Sequence, residues 1–199
     1  MKSKYEEYIN ADKYSIVEVD KIPPIEDIID VPIDDLEKVK SVCLKLKLLC
    51  EIERGVGISA VQVGIPWKLF LVKGINCPFI ETGSFGYFIN CEYEEITDKK
   101  YEEDTDKKLV RSIEGCLSLR SQDGCLRFFE VVRQNEIKVI GLQIFIKDEI
   151  IIENLDKTID SKQQSIVFQH EIDHHRGRLI SDFGAELNYN NSSLFKKAN

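Results

Sequence analysis

Hydrophobic positions along the chain follow two rhythms, one helical and one extended. Leu36, Val39, Cys43, Leu46 and Cys50 recur at helical spacing and form one apolar face that packs on a core. Asp34 followed by Glu37 resembles a capping box and predicts a helix running to about Arg54. Trp67 to Lys73, Gly86 to Cys91, Cys125 to Arg133 and Glu136 to Lys147 are rich in apolar, β-branched and aromatic residues and predict strands. Lys147-Asp148-Glu149 predicts a short turn into Ile150 to Glu153, hence a hairpin. Ile166, Val167, Phe168 and Ile172 give a second helix apolar sides nearly all round, which marks it as buried. Asp160 with Gln163 would cap this helix, and Gly177 would end it.

The remaining segments are weaker in pattern. Residues 1–33 contain Pro23-Pro24 and Pro32 and predict an extended lead-in. Gly55 to Pro66 reads as a tight loop in which glycines permit close backbone approach. No Lys-Ser/Thr follows Gly55-Val-Gly57, so a nucleotide loop is rejected. Residues 92–108 hold eight acids and four lysines without apolar period, and predict a solvated insertion. Residues 188–199 form a polar tail. The sum is an α+β fold: an N-terminal helix and a buried helix surrounded by mixed or antiparallel strands. Residues 34–187 are expected to form its single catalytic domain.

Composition narrows the function. A net charge of −8 argues against nucleic acid as a partner, because phosphate binding needs clustered Lys and Arg. No apolar run approaches the ~20 residues needed to span a bilayer, so no membrane association is expected. The N-terminus lacks the apolar core of a secretory signal. Without one, the six cysteines read as buried or metal-binding thiols, and the protein is expected to be cytoplasmic.

The chemistry gathers in Gln169-His-Glu-Ile-Asp-His-His-Arg-Gly177. His170 and His174, four residues apart on a helix, stack both imidazoles on one face where they can grip one metal ion. Glu171 lies beside them, placed to move a proton on water activated by the metal. A catalytic metal needs a third protein ligand and an open position. A histidine in the HExxHxxGxxH pattern is excluded, since Ile180 stands at that place. Glu186, twelve residues past His174, is poorly placed to turn back. A thiolate remains, and Cys116 in Glu114-Gly-Cys-Leu-Ser118 is its best candidate, expected in a glycine-flanked loop. Taken alone, Cys116 reads more readily as a core thiol.

Three segments in order resemble the peptide deformylases: Gly55-Val-Gly-Ile-Ser-Ala-Val-Gln62, Glu114-Gly-Cys-Leu-Ser118 and Gln169-His-Glu-Ile-Asp-His174. The resemblance runs from about Asp34 to Asp182. It implies that Cys116, His170 and His174 bind the metal and that Glu171 is the general acid and base. It also implies that the Gln62 amide and the Leu117 backbone N–H stabilise the developing oxyanion. Fe²⁺ is the implied native ion, with Zn²⁺, Ni²⁺ or Co²⁺ as substitutes, although one thiolate and two imidazoles alone would suggest zinc. The implied reaction removes the N-formyl group from N-terminal formylmethionine of newly made polypeptides, with metal-activated hydroxide as nucleophile.

Carried over in the same way, Val56, Gly57, Ser112, Glu114, Gly115, Gln163 and Val167 line the substrate site. Ser112 and Gln163 are polar where the family's methionine pocket is apolar, which suggests a residue preference other than methionine, or a wider one. Val61 and the Leu119-Arg120 pair also depart from the usual motifs. Asp173 is poised between supporting a ligand histidine and holding the helix to a strand. His175 reads as a satisfied or exposed histidine, and Arg133 as a family arginine or a structural ion pair. Lys196 and Lys197 give a ribosome contact little support, and a monomer is expected. Two alternatives stand beside this reading: a divergent deformylase-like amidase, and a non-catalytic metal module that binds peptides.

Overall fold

The computed structural model describes residues 5–75, 77, 79–96, 108–147 and 149–187. Its architecture is α+β. Helix α1 spans Glu6–Ile9, α2 spans Leu36–Ile52 and α3 spans Lys162–His175. Strands are β1 (Gly57–Ser59), β2 (Leu69–Lys73), β3 (Phe85–Glu95), β4 (Leu109–Arg120), β5 (Leu126–Gln134), β6 (Ile137–Ile146), β7 (Ile150–Ile159) and β8 (Ala185–Glu186). They build a five-stranded sheet in the order β1-β2-β3-β6-β7 and a three-stranded sheet in the order β4-β5-β8. Every pairing between these strands is antiparallel.

The first sheet is covered on both faces, and β2 shows why its sequence is uniformly apolar. Leu69 and Leu71 join Val39, Val42, Leu46 and Cys50 of α2 in one core cluster. Phe70 and Val72 point the other way, into a cluster with Phe88, Phe168 and Ile172. There the Phe88 and Phe168 rings lie 4.8 Å apart and those of Phe70 and Phe168 5.5 Å, both edge to face. This packing seats α3 against the sheet and fixes where its polar face emerges.

Several boundaries differ from those the sequence predicts. Helix α2 is capped by Asp35, whose carboxylate accepts the Lys38 backbone N–H at 3.1 Å, and not by Asp34. Helix α3 begins after Ser161 with no side-chain cap bond, so the proposed Asp160–Gln163 box does not form. Asp160 follows directly on β7, which keeps the chain extended up to that point. Strand β7 outruns its apolar stretch because it pairs with β6 from Ile150 to Ile159.

The lead-in is not extended throughout. It carries the helical turn α1, where the prolines at 23, 24 and 32 have no influence. It is also strapped to the body: Val17 N–H donates to the Gln62 carbonyl at 2.9 Å, and Ile29 bridges Trp67. Tyr8 packs against Gly64, where φ is +81° and a Cβ would lie 2.6 Å from its ring. Strand β3 takes in residues 92–95 of the acidic stretch; residues 97–107 and the tail from 188 lie outside the described residues. Among the described residues no helix is long and apolar enough to cross a membrane.

Candidate metal centre and active-site cavity

Helix α3 presents His170 and His174 one turn apart, with ring centroids 5.1 Å from each other. Cys116 reaches them from β4, a strand and not the loop expected. The reason is pairing: β4 runs beside β5 from Leu109 to Gly115, then its register shifts before Arg120. Cys116 sits at that irregularity, where a strand can re-aim a side chain. Its Sγ lies 3.5 Å from His174 Nε2. One donor atom each from Cys116, His170 and His174 falls within 4.8 Å of the others.

A thiol sulfur and two imidazole nitrogens suit a divalent transition metal. The surroundings of the histidines agree. His170 Nδ1 is 2.9 Å from Glu114 Oε2, which leaves its Nε2 for a metal. His174 Nε2 faces Cys116, and its Nδ1 is buried without a hydrogen-bond partner. The donors present fit a metal ion.

Glu114 is the hub behind the ligands. Its carboxylate receives Arg133 Nε and Nη2, each at 2.8 Å, together with the Ser112 hydroxyl at 2.6 Å and the His170 ring. The third guanidinium nitrogen of Arg133 donates to Asp173 Oδ2. Arg133 therefore ties β4, β5 and α3 together through two buried carboxylates; Asp173 holds the helix to strand β5 and reaches His170 only by way of Arg133 and Glu114. Although burial works against it, Arg133 and His170 hold the Glu114 carboxyl down at about 2. Burial also opposes charge on His170, yet Cys116 and Glu114 raise it well above its ordinary value. His174 moves the opposite way, lowered by burial and by the nearby His170.

Glu171 stands apart from this network. It is 4% exposed, and its Oε2 has no hydrogen-bond partner. Burial pushes its carboxyl up to about 7. Gly57 of β1 lies against it; an added Cβ would meet Glu171 Oε1 at 2.5 Å.

Gln62 is also buried, in a short 3₁₀ turn covering Ala60–Val63. Its Oε1 accepts the Ser59 N–H at 2.9 Å, which turns its Nε2 toward Ser118 Oγ at 3.2 Å and Cys116 Sγ at 3.4 Å. The expected tight loop is therefore β1 plus this turn.

These groups open on a cavity of about 400 Å³. Val56, Gly57, Ser112, Glu114, Gly115, Gln163 and Val167 all line it, with Gln62, Leu117, His170 and Glu171. Of the two polar wall residues, Ser112 is already turned to Glu114. Gln169 faces elsewhere: its amide bonds both backbone groups of Gln134, at 2.9 and 2.8 Å, and docks α3 on the end of β5. His175 is not exposed. It is buried against Phe70 beside the Leu69 backbone, and burial pushes it down to about 3. Ser118 and the hub role of Glu114 escaped the sequence reading. Neither has a local signal, since each depends on a partner 56 residues away.

Comparison with known proteins identifies the family. The family model of polypeptide deformylase matches residues 17–188. The peptide deformylase of Rickettsia akari is 28% identical over 135 residues, covering 68% of this chain and 67% of that protein. The crystal structure of the Thermotoga maritima peptide deformylase superposes with a TM-score of 0.57 at 27% identity, over 85% of this chain and 96% of that one. A Met-Ala-Ser-bound class I type b peptide deformylase from Acinetobacter baumannii shares the fold with a TM-score of 0.60 at 19% identity, over 86% and 99% of the two chains. This chain belongs to the polypeptide deformylase family of enzymes.

Proposed function

We propose that this enzyme hydrolyses the N-formyl group from the N-terminal formylmethionine of newly made polypeptides in the cytoplasm. The observation that carries the reading is the meeting of Cys116, His170 and His174 beside a cavity that His170 and a buried, unpartnered Glu171 line. Cys116, His170 and His174 would hold Fe²⁺, with Zn²⁺, Ni²⁺ or Co²⁺ able to replace it. An ion held there would acidify water and polarise the formyl oxygen.

The chain's own groups supply the rest. Glu171 removes a proton from the attacking water and returns it to the departing amine, and a carboxyl near neutrality suits both transfers. Gln62 offers its Nε2 hydrogens to the oxygen on which charge develops, and the Ser59 bond holds that amide the right way round. The Leu117 N–H, on the irregular part of β4, is the second donor. Val56 just before β1, Gly57 of β1 and Gly115 of β4 border the cavity, and both strands lie at the edge of their sheets. A peptide can extend between those edges as an added strand.

Gln163 and Val167 would form a wall of the pocket for the first side chain, and Gln163 keeps open a preference other than methionine. The catalytic unit is residues 34–187 acting as a monomer on a formylated nascent peptide, without dependence on a ribosome contact. The A. baumannii enzyme, solved with Met-Ala-Ser, holds a peptide of the kind this reaction would leave. Mass spectrometry of formyl-Met-Ala-Ser incubated with the metal-loaded enzyme tests the reading. Conversion to Met-Ala-Ser is expected, whereas an intact peptide, or cleavage within the tripeptide, would sink it.

A further inference from the structure

Arg54 stands at the rim of the same cavity without a counter-charge. It ends the turn after α2, where a φ of +55° places a non-glycine residue in the left-handed region. Its neighbour Glu53 is held by Arg120 at 2.6 Å. Arg54 is exposed, and among the described residues it has no ion pair or side-chain hydrogen bond. The rim thus carries one cation that the fold has left unneutralised. Non-glycine residues in such conformations gather at ligand-binding sites, where surrounding structure holds them.

The path from Arg54 to the reacting end is defined by the chain itself. Gly55 and Val56 lead from the rim to Gly57, which abuts Glu171, and all of them line the cavity. An extended peptide advances ~3.3 Å per residue, while Arg54 stands three residues before Gly57, in the turn that closes α2. With its formyl end at Glu171, the peptide comes out past Arg54 at the cavity rim, where the long guanidinium side chain can meet its third side chain.

We infer that Arg54 is a specificity residue that favours an acidic side chain at the third position of the formylated peptide. The inference rests on the deformylase reading above and adds to it a choice among nascent chains. A guanidinium offers several donors in a fixed fork and suits a carboxylate in that place.

The test compares formyl-Met-Ala-Glu, formyl-Met-Ala-Gln and formyl-Met-Ala-Lys, all amidated so that only the third side chain varies in charge. Rates are measured with the metal-loaded wild type, Arg54→Gln and Arg54→Glu. The wild type is expected to favour Glu over Gln by roughly two- to five-fold through KM, the size of an exposed ion pair, and to handle Lys worst. Added salt should shrink the preference. Arg54→Gln should remove it and Arg54→Glu should invert it. Equal rates on the three peptides, or a preference that survives Arg54→Gln, would overturn the role of Arg54 and leave the deformylase reading standing. No turnover of any of the three would overturn that reading, and the inference with it.

Discussion

Gly57 and Glu171 compete for one space: a Cβ on Gly57 would lie 2.5 Å from the Glu171 carboxylate and 3.1 Å from two of its carbons. The glycine of β1 thus sets the position of Glu171, a buried carboxylate lining the cavity that no side chain among the described residues neutralises directly. Gly57→Ala should push that carboxylate aside while the strand pairing with Val72 remains. Turnover of a formyl peptide is expected to fall about 100-fold, the usual weight of a general base, with melting changed by only a few degrees. Unaltered turnover in Gly57→Ala would show that Glu171 need not sit where it does.

Arg133 is the next point of failure. It and both its carboxylate partners are almost fully buried. Arg133→Met would leave Glu114 with only the His170 ring and Asp173 with only Arg178, 3.9 Å away, at a cost of about 3–5 kcal/mol in unfolding free energy. Loss of the group that holds Glu114 should also weaken metal retention about 10- to 100-fold, because Glu114 orients His170. Urea unfolding and chelator competition read the two effects separately. A variant as stable and as metal-tight as wild type would contradict the network.

The buried thiols predict alkaline behaviour. Burial pushes Cys43 and Cys91 from 9.0 up to about 12. The folded pKa is raised, so this part of the stability is complete below the unfolded value of 9.0. It is lost as pH rises toward about 12, because the unfolded thiols ionise first. Unfolding free energy should therefore fall through that window, and the fall should be shallower in Cys43→Ala. An equal slope in both proteins would remove Cys43 from the explanation.

Gln163 is the wall residue whose effect on substrate choice is open, since Ser112 is already bound to Glu114. Rates on formyl-Met and formyl-Leu peptides are expected to differ by less than about tenfold in the wild type, and the gap should widen in Gln163→Leu. A strict methionine preference in the wild type would exclude a broadened pocket.

Legibility in the sequence followed the range of the interactions. His170 and His174 share a face through helical period alone, and the buried sides of α3 are visible in Phe168 and Ile172. The strands with apolar runs were visible too, although β7 owes half its length to its ladder with β6. Strand β4 was not legible, because its charged and small residues become a strand only beside β5. That is why Cys116 reads as a loop residue. The start of each helix was displaced by one residue: Asp35 caps α2 in place of the adjacent Asp34, and α3 begins after Ser161 with no side-chain cap at all. The Glu114–Arg133–Asp173 chain joins three distant segments and has no local pattern.

The most direct test of the account is formate release from formyl-Met-Ala-Ser by protein kept from oxygen and loaded with Fe²⁺, with Glu171→Gln measured beside it. The wild type should release formate with one metal bound per chain. Glu171→Gln should bind the same metal and lose activity by at least about 100-fold. Metal-loaded wild type that releases no formate, or a Glu171→Gln enzyme as fast as wild type, would contradict it.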